Sequence, residues 1–169
     1  MRVGIGFDMH QLREGRRLVL GGVAIDFPRG LDGHSDADVL THALIDALLG
    51  AAGAGDIGRR YGSEAAWTKD IQSLRLLEDA AAAVADMGYA VANADATVVA
   101  EAPRLAPHLA SMGANLARAM RVREEQVNVK ATTAKLMGLI GSGDGIATFA
   151  IVAVVPTVPP ALPPTPPGL

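Results

Sequence analysis

Arg2-Val3-Gly4-Ile5-Gly6-Phe7-Asp8-Met9-His10 alternates strictly, with Val3, Ile5, Phe7 and Met9 on one face of a strand and Gly4, Gly6, Asp8 and His10 on the other. Two glycines clear space beside two metal-type side chains. Residues two apart on a strand share a face at roughly 6.6 Å, so Asp8 and His10 can reach one ion above that face. His42, on the helix that follows, offers a third ligand from across the fold. A carboxylate and two imidazoles leave one coordination position open, the arrangement of a catalytic rather than a structural zinc. On residue types alone the alternative stays open that Asp8 ends a strand in a turn and His42 is a polar helix residue. Three of the four histidines, His10, His34 and His42, fall in this first quarter.

Outward from this strand, Arg17 to Ile25 reads as two short strands around Gly21-Gly22, a two-residue hairpin signal. A Pro/Gly-bearing loop from Phe27 to Gly33 leads to a helix that opens at Ser35 with Asp38 three residues on, a capping-box pattern. That helix continues through Leu40, Ala43, Leu44, Ala47 and Leu48, with His42 and Asp46 on one polar stripe. His34 stands just outside it, where free backbone N–H groups favour a phosphate. A second helix is expected over Ser73–Met87, burying Leu74, Leu77, Ala81 and Val84 and stopping at Gly88. A third takes Pro107 in its first turn and spaces Leu105, Leu109, Met112, Leu116 and Met120 by three or four. Strands are expected near Ala94–Ala100, Gln126–Ala131 and Gly145–Val155. The order suits an α+β, two-layer domain, a mixed β-sheet with helices on one face.

The chain of 169 residues, half of them hydrophobic, suits one core. We read residues 1–155 as one domain and 156–169, with seven prolines in fourteen residues, as an extended tail. A net charge of −3 carries no basic excess, which argues against a nucleic-acid partner. Without cysteine there is no disulfide, thiolate nucleophile or Cys-ligated zinc, and His and carboxylate remain as ligands. No leader precedes the first strand and the longest apolar run, Ile146 to Val155, is too short to span a bilayer, so a soluble cytoplasmic protein with no membrane partner is expected.

Five collinear segments carry a resemblance: Asp8-Met9-His10; His34-Ser35-Asp36-Ala37-Asp38-Val39 with His42-Ala43; Asp56-Ile57-Gly58; Ala100-Glu101-Ala102-Pro103-Arg104; and Val127-Asn128-Val129-Lys130-Ala131-Thr132-Thr133. Together the chain resembles the 2-C-methyl-D-erythritol 2,4-cyclodiphosphate synthase family. The resemblance implies a homotrimer with clefts between subunits and one zinc (Zn2+) per subunit on Asp8, His10 and His42. It implies an intramolecular reaction in which the 2-phosphate of 4-diphosphocytidyl-2-C-methyl-D-erythritol 2-phosphate attacks the β-phosphorus and expels CMP. His34 and Thr133 would stabilise the developing charge. Asp8, His10, His34, Ser35, Asp56, Ile57, Gly58 and Tyr61 would surround the methylerythritol and phosphate part. Ala100, Pro103, Arg104, Leu105, Ala131, Thr132 and Thr133, with Lys135 beyond, would form the cytidine diphosphate side. His108 matches no ligand role and reads as a helix-surface residue.

The chain departs from the family pattern near the substrate. Arg59-Arg60-Tyr61-Gly62-Ser63-Glu64-Ala65 replaces an aromatic residue and Pro-Asp-Thr-Asp. Lys135 stands where the family has a Glu for a second divalent ion such as Mg2+, Arg104 stands for a Lys, and Leu139 and Ser142 replace Phe and Arg. Two other chemistries remain compatible with these residues, a zinc-dependent phosphoester or diphosphate hydrolase on a related nucleotide and a catalytically retired trimeric ligand-binding homologue. A non-haem iron oxygenase shares the two-His, one-carboxylate ligand set, but the phosphate-type residues nearby and the sheet order favour the synthase.

Overall fold

A thirteen-residue strand, β1 (Arg2–Glu14), opens the fold in the computed structural model, which describes residues 1–62 and 66–157. The replaced segment Ser63 to Ala65, and the proline-rich stretch from residue 158 on, lie outside the described residues. The Gly21-Gly22 hairpin forms as expected: β2 (Leu18–Leu20) and β3 (Val23–Ile25) pair antiparallel with Leu20 opposite Val23. Gly21 and Gly22 both take positive φ, 54° and 68°, as a tight hairpin turn requires. The following loop contains a short strand, β4 (Arg29–Leu31), which extended pairing with the end of β1 holds in place.

Then come α1 (Val39–Ala52), α2 (Ile57–Tyr61), α3 (Ser73–Asp86), β5 (Tyr89–Val99), α4 (Leu109–Met120), β6 (Val127–Thr132), α5 (Gly138–Gly141) and β7 (Gly145–Pro156). The five-stranded sheet has the order β4-β1-β7-β5-β6, antiparallel except for the parallel pair β5/β6. It is a mixed sheet, and α1, α3 and α4 supply the apolar layer that packs on one face of it. β7 reaches Pro156, one residue into the stretch read as tail. No helix among the described residues is long and apolar enough to cross a membrane.

The structure differs locally from these expectations in the first two long helices. The first helix starts at Val39 with Asp38, not Ser35, as its N-cap, because Ala37 takes φ 55° and breaks any helix upstream. The Asp38 carboxyl accepts from Thr41 N–H at 3.0 Å and also holds the hairpin through Gly21 N–H and Gly22 N–H. It therefore fills the first turn of α1, so the free N–H groups that we expected His34 to share with a phosphate are partly used internally. In α3 the buried positions are Leu76, Leu77, Ala80 and Val84, while Leu74 and Ala81 are only partly buried.

The close approach of α1 to β1 decides where the site lies. A Cβ at Gly6 would stand 1.9 Å from the Ala43 carbonyl oxygen, and one at Gly4 would stand 2.1 Å from that of Ala47. The room that the two glycines clear is thus filled by the helix backbone rather than by a ligand. With the helix lowered onto the strand, His42, next to Ala43, comes down beside Asp8.

Candidate metal centre and substrate cavity

Asp8, His10 and His42 offer ligand atoms that all lie within 4.8 Å of one another, the only such group of three among the described residues. His10 Nε2 is 3.0 Å and His42 Nδ1 3.1 Å from the same oxygen, Asp8 Oδ2. The other nitrogen of each ring has its own oxygen partner. His10 Nδ1 lies 2.5 Å from the Asp32 carbonyl, which only accepts, so this nitrogen donates and Nε2 is left as the atom that can bind a proton or an ion beside Asp8. His42 Nε2 lies 2.8 Å from Ser73 Oγ and 3.2 Å from Ser35 Oγ. A half-buried carboxylate with imidazole nitrogens converging on it fits a divalent borderline-soft ion such as zinc, and the far-nitrogen partners are those that metal-bound histidines have.

Burial alone works against charge on both Asp8 and His10. The hydrogen bonds and attraction between Asp8 and the two histidines outweigh it, holding the Asp8 carboxyl well below the usual carboxylate range. For His10, the Asp8 partner likewise outweighs burial and raises the imidazole above its ordinary value. The cluster thus favours a positive charge beside Asp8.

The trio opens into a cavity of about 250 Å³ whose lining includes His34, Ser35, Ile57, Gly58 and Tyr61, all predicted site residues. Asp56 does not line it, because its carboxyl accepts from Arg59 N–H at 2.8 Å and caps α2. Tyr61 turns its hydroxyl away to Leu76 O and Asp79. Asp46 lines the cavity without having been singled out for a role; its signal was the polar stripe it shares with His42, one helical turn away. Its carboxyl receives Ile57 N–H at 2.8 Å and so ties α2 to α1. Arg16, also missed, donates to the carbonyls of Gly33 and Ser35 and clamps the loop that carries His34. No sequence signal marked it.

The residues expected on the cytidine side form a separate group. Ala100, Pro103, Arg104 and Leu105 follow the C-terminal end of β5, and Ala131, Thr132, Thr133 and Lys135 sit at or beyond that of β6. The register Asp8 to Thr148 to Val98 to Ala131 puts three strand spacings, roughly 14 Å, between the two groups. None of them lines the cavity beside the metal ligands. Lys135 and Leu136 both take positive φ, 55° and 62°, and Leu136 N–H donates to Glu101.

A sequence model of the YgbB family matches residues 1–155. The chain belongs to that family. Relatives at this level include the 2-C-methyl-D-erythritol 2,4-cyclodiphosphate synthase of Syntrophomonas wolfei, 53% identical over 91% of this chain and 98% of that protein. Among solved structures, the IspF of Plasmodium falciparum in a CDP complex aligns with a TM-score of 0.82 at 29% identity, covering 93% of this chain and 97% of that one. The bifunctional IspDF of Campylobacter jejuni aligns with a TM-score of 0.87 at 41% identity; 90% of this chain matches 42% of that one. For a YgbB-family protein, the α+β architecture and the Asp8, His10, His42 constellation now stand together on one scaffold.

Proposed function

We propose that this chain is a zinc-dependent cyclase that acts as a homotrimer on 4-diphosphocytidyl-2-C-methyl-D-erythritol 2-phosphate. The activity is that of its relatives, synthesis of 2-C-methyl-D-erythritol 2,4-cyclodiphosphate in non-mevalonate isoprenoid biosynthesis, and the enzyme is a phosphorus–oxygen lyase. The observation that carries the reading is the convergence of two imidazole nitrogens on Asp8 Oδ2 in a cavity also lined by His34 and Ser35.

In the reaction a 2-phosphate oxygen forms a bond to the β-phosphorus, and the bond from that phosphorus to the bridging oxygen breaks, with its electron pair leaving on CMP. No water is consumed. Two phosphates must meet, and unit like charges 4 Å apart repel by about 4 kcal/mol at an effective dielectric near 20. Zinc, when held by Asp8, His10 and His42, supplies charge and polarises a phosphate oxygen. His34 on the metal side and Thr133 on the cytidine side bring donors to the charge that develops at phosphorus. Ala100, Pro103, Arg104, Leu105, Ala131 and Thr132 hold the cytidine diphosphate, while Ser35, Ile57, Gly58 and Tyr61 line the methylerythritol side. The proline-rich stretch takes no part in this chemistry.

The separation of the two residue groups supports a site assembled from neighbouring subunits. So does the sheet face away from the helices, where Val3, Ile5, Phe7, Met9, Phe149 and Ile151 are exposed, Ile5 at 71%. Phe7 and Phe149 pack across strands as a tilted pair, 4.8 Å between ring centroids. Monomers rarely leave such a contiguous apolar stripe in water. Copies of the same chain cover it. Ile5→Glu with Phe149→Glu is expected to convert the trimer to monomer in analytical ultracentrifugation and to abolish turnover while the zinc stays; a native monomer at micromolar concentration would remove the shared site.

Protons compete with the ion for this cluster. Because His10 binds its proton more tightly than the ordinary 6.5 allows, zinc affinity should weaken as pH falls, with the loss beginning above pH 6.5. Zinc titrations against a chelator at pH 8 and pH 6 measure it, and equal affinities would contradict the ligand set.

Lys135 places one fixed positive charge where the family holds a second ion with a carboxylate. It offsets part of the phosphate repulsion and repels another metal. Turnover is expected to depend little on magnesium, and Lys135→Glu to introduce that dependence. Product phosphorus NMR with and without magnesium tests both; a strictly magnesium-dependent native chain whose response is unchanged in Lys135→Glu would refute this role. The same spectra separate a cyclic diphosphate from a hydrolysed product and from binding without turnover.

A further inference from the structure

Behind His42 lies a buried hydrogen-bond network. Ser73, the first residue of α3, is fully buried. Its hydroxyl is 2.5 Å from Asp36 Oδ1 and its N–H donates to Asp36 Oδ2 at 3.0 Å. Asp36 Oδ1 also accepts from Asp38 N–H at 3.3 Å. We infer that Asp36 and Ser73 are a positioning pair that holds His42 with its proton on Nε2 and so aims the Nδ1 lone pair at the metal. The inference rests on the reading of Asp8, His10 and His42 as ligands.

Proton counting carries it. Ser73 has one hydroxyl proton, and a carboxylate that only accepts takes it. Toward His42 Nε2, 2.8 Å away, Ser73 Oγ then presents only lone pairs, and the contact is favourable only if Nε2 bears hydrogen. The nearby Ser35 Oγ, 3.2 Å from Nε2, cannot impose this by itself. It accepts Ala37 N–H, but no carboxylate fixes where its own proton goes. Without the Ser73 hydroxyl, Ser35 is free to donate to Nε2. The ring can then carry its proton on Nδ1, hydrogen-bonded to Asp8 Oδ2 at the 3.1 Å already present. That tautomer blocks the ligand atom. His10 provides an internal contrast, because the Asp32 carbonyl fixes its proton on Nδ1 and leaves Nε2 as the ligand. The two ligand histidines are thus held in opposite tautomers.

The test is nitrogen NMR of the full chain with labelled histidine at alkaline pH, metal-free and zinc-loaded, beside zinc affinity by chelator competition. In the native protein, His42 is expected to show hydrogen on Nε2 and His10 on Nδ1. Ser73→Ala should mix the His42 tautomers in the metal-free chain, leave His10 unchanged, and weaken zinc binding by about 10–100-fold. Ser73→Thr, which keeps the hydroxyl, should restore both readouts, and Asp36→Asn should move them as Ser73→Ala does. An unchanged His10 signal shows that the site remains folded. Native His42 with hydrogen on Nδ1, or unchanged His42 tautomer and affinity in Ser73→Ala, overturns the inference. Failure of the ligand reading looks different: the native chain takes up no zinc, while the His42 tautomer still responds to Ser73→Ala.

Discussion

Gly6→Ala is expected to destabilise the fold by about 3 kcal/mol and to lower zinc affinity in the fraction that still folds. The added carbon would meet the Ala43 carbonyl oxygen at 1.9 Å and Ala47 N at 2.8 Å, both backbone atoms of α1 that cannot swing aside. The helix must move off the strand, and His42 moves with it. Gly50→Ala, on the exposed side of α1, adds the same carbon where nothing lies within 4 Å and serves as a control. Chemical unfolding of both variants, with zinc content measured on the folded fraction, decides the matter. A Gly6→Ala protein as stable as the native one and with full zinc would show that the approach of α1 to β1 does not set the site.

His42→Ala should lose stoichiometric zinc while remaining folded, and turnover should fall by roughly 10³-fold, the equivalent of about 4 kcal/mol of transition-state stabilisation. The fold tolerates the change because the packed side of α1 is made by Leu40, Ala43, Leu44, Ala47 and Leu48, all fully buried, and not by the imidazole. His108→Ala, at the start of α4 and away from the trio, should keep its zinc. Metal analysis of the purified variants gives the answer directly. Unchanged zinc in His42→Ala would remove it from the ligand set.

Much of the site was legible because its signals are local. The alternation of the first strand put Asp8 and His10 on one face, and the helical spacing put His42 and Asp46 on one stripe. Other features depend on what packs where. Alternation alone does not say that the glycine face of β1 is the core and that Val3, Ile5, Phe7 and Met9 are left exposed in the single chain. Ser35 and Asp38 are both good caps by type, and the choice fell to Asp38 because of the left-handed backbone at Ala37. β4 and α2 are too short to show a period, and they exist through pairing with β1 and through the Asp46 bond to Ile57. The partners of the far histidine nitrogens, a carbonyl at Asp32 and a hydroxyl at Ser73, come from chain segments 22 and 31 residues away. No motif spacing announces them.

The proposed reaction joins two phosphates of one substrate rather than cleaving a diphosphate with water. Turnover of 4-diphosphocytidyl-2-C-methyl-D-erythritol 2-phosphate in oxygen-18 water tests it most directly, with products read by mass spectrometry and phosphorus NMR. Intramolecular attack takes its new P–O bond from the 2-phosphate, so the prediction is CMP and a cyclic diphosphate in equal amounts, both free of solvent oxygen. Oxygen-18 in CMP or in a linear phosphate product would make water the nucleophile and the protein a hydrolase.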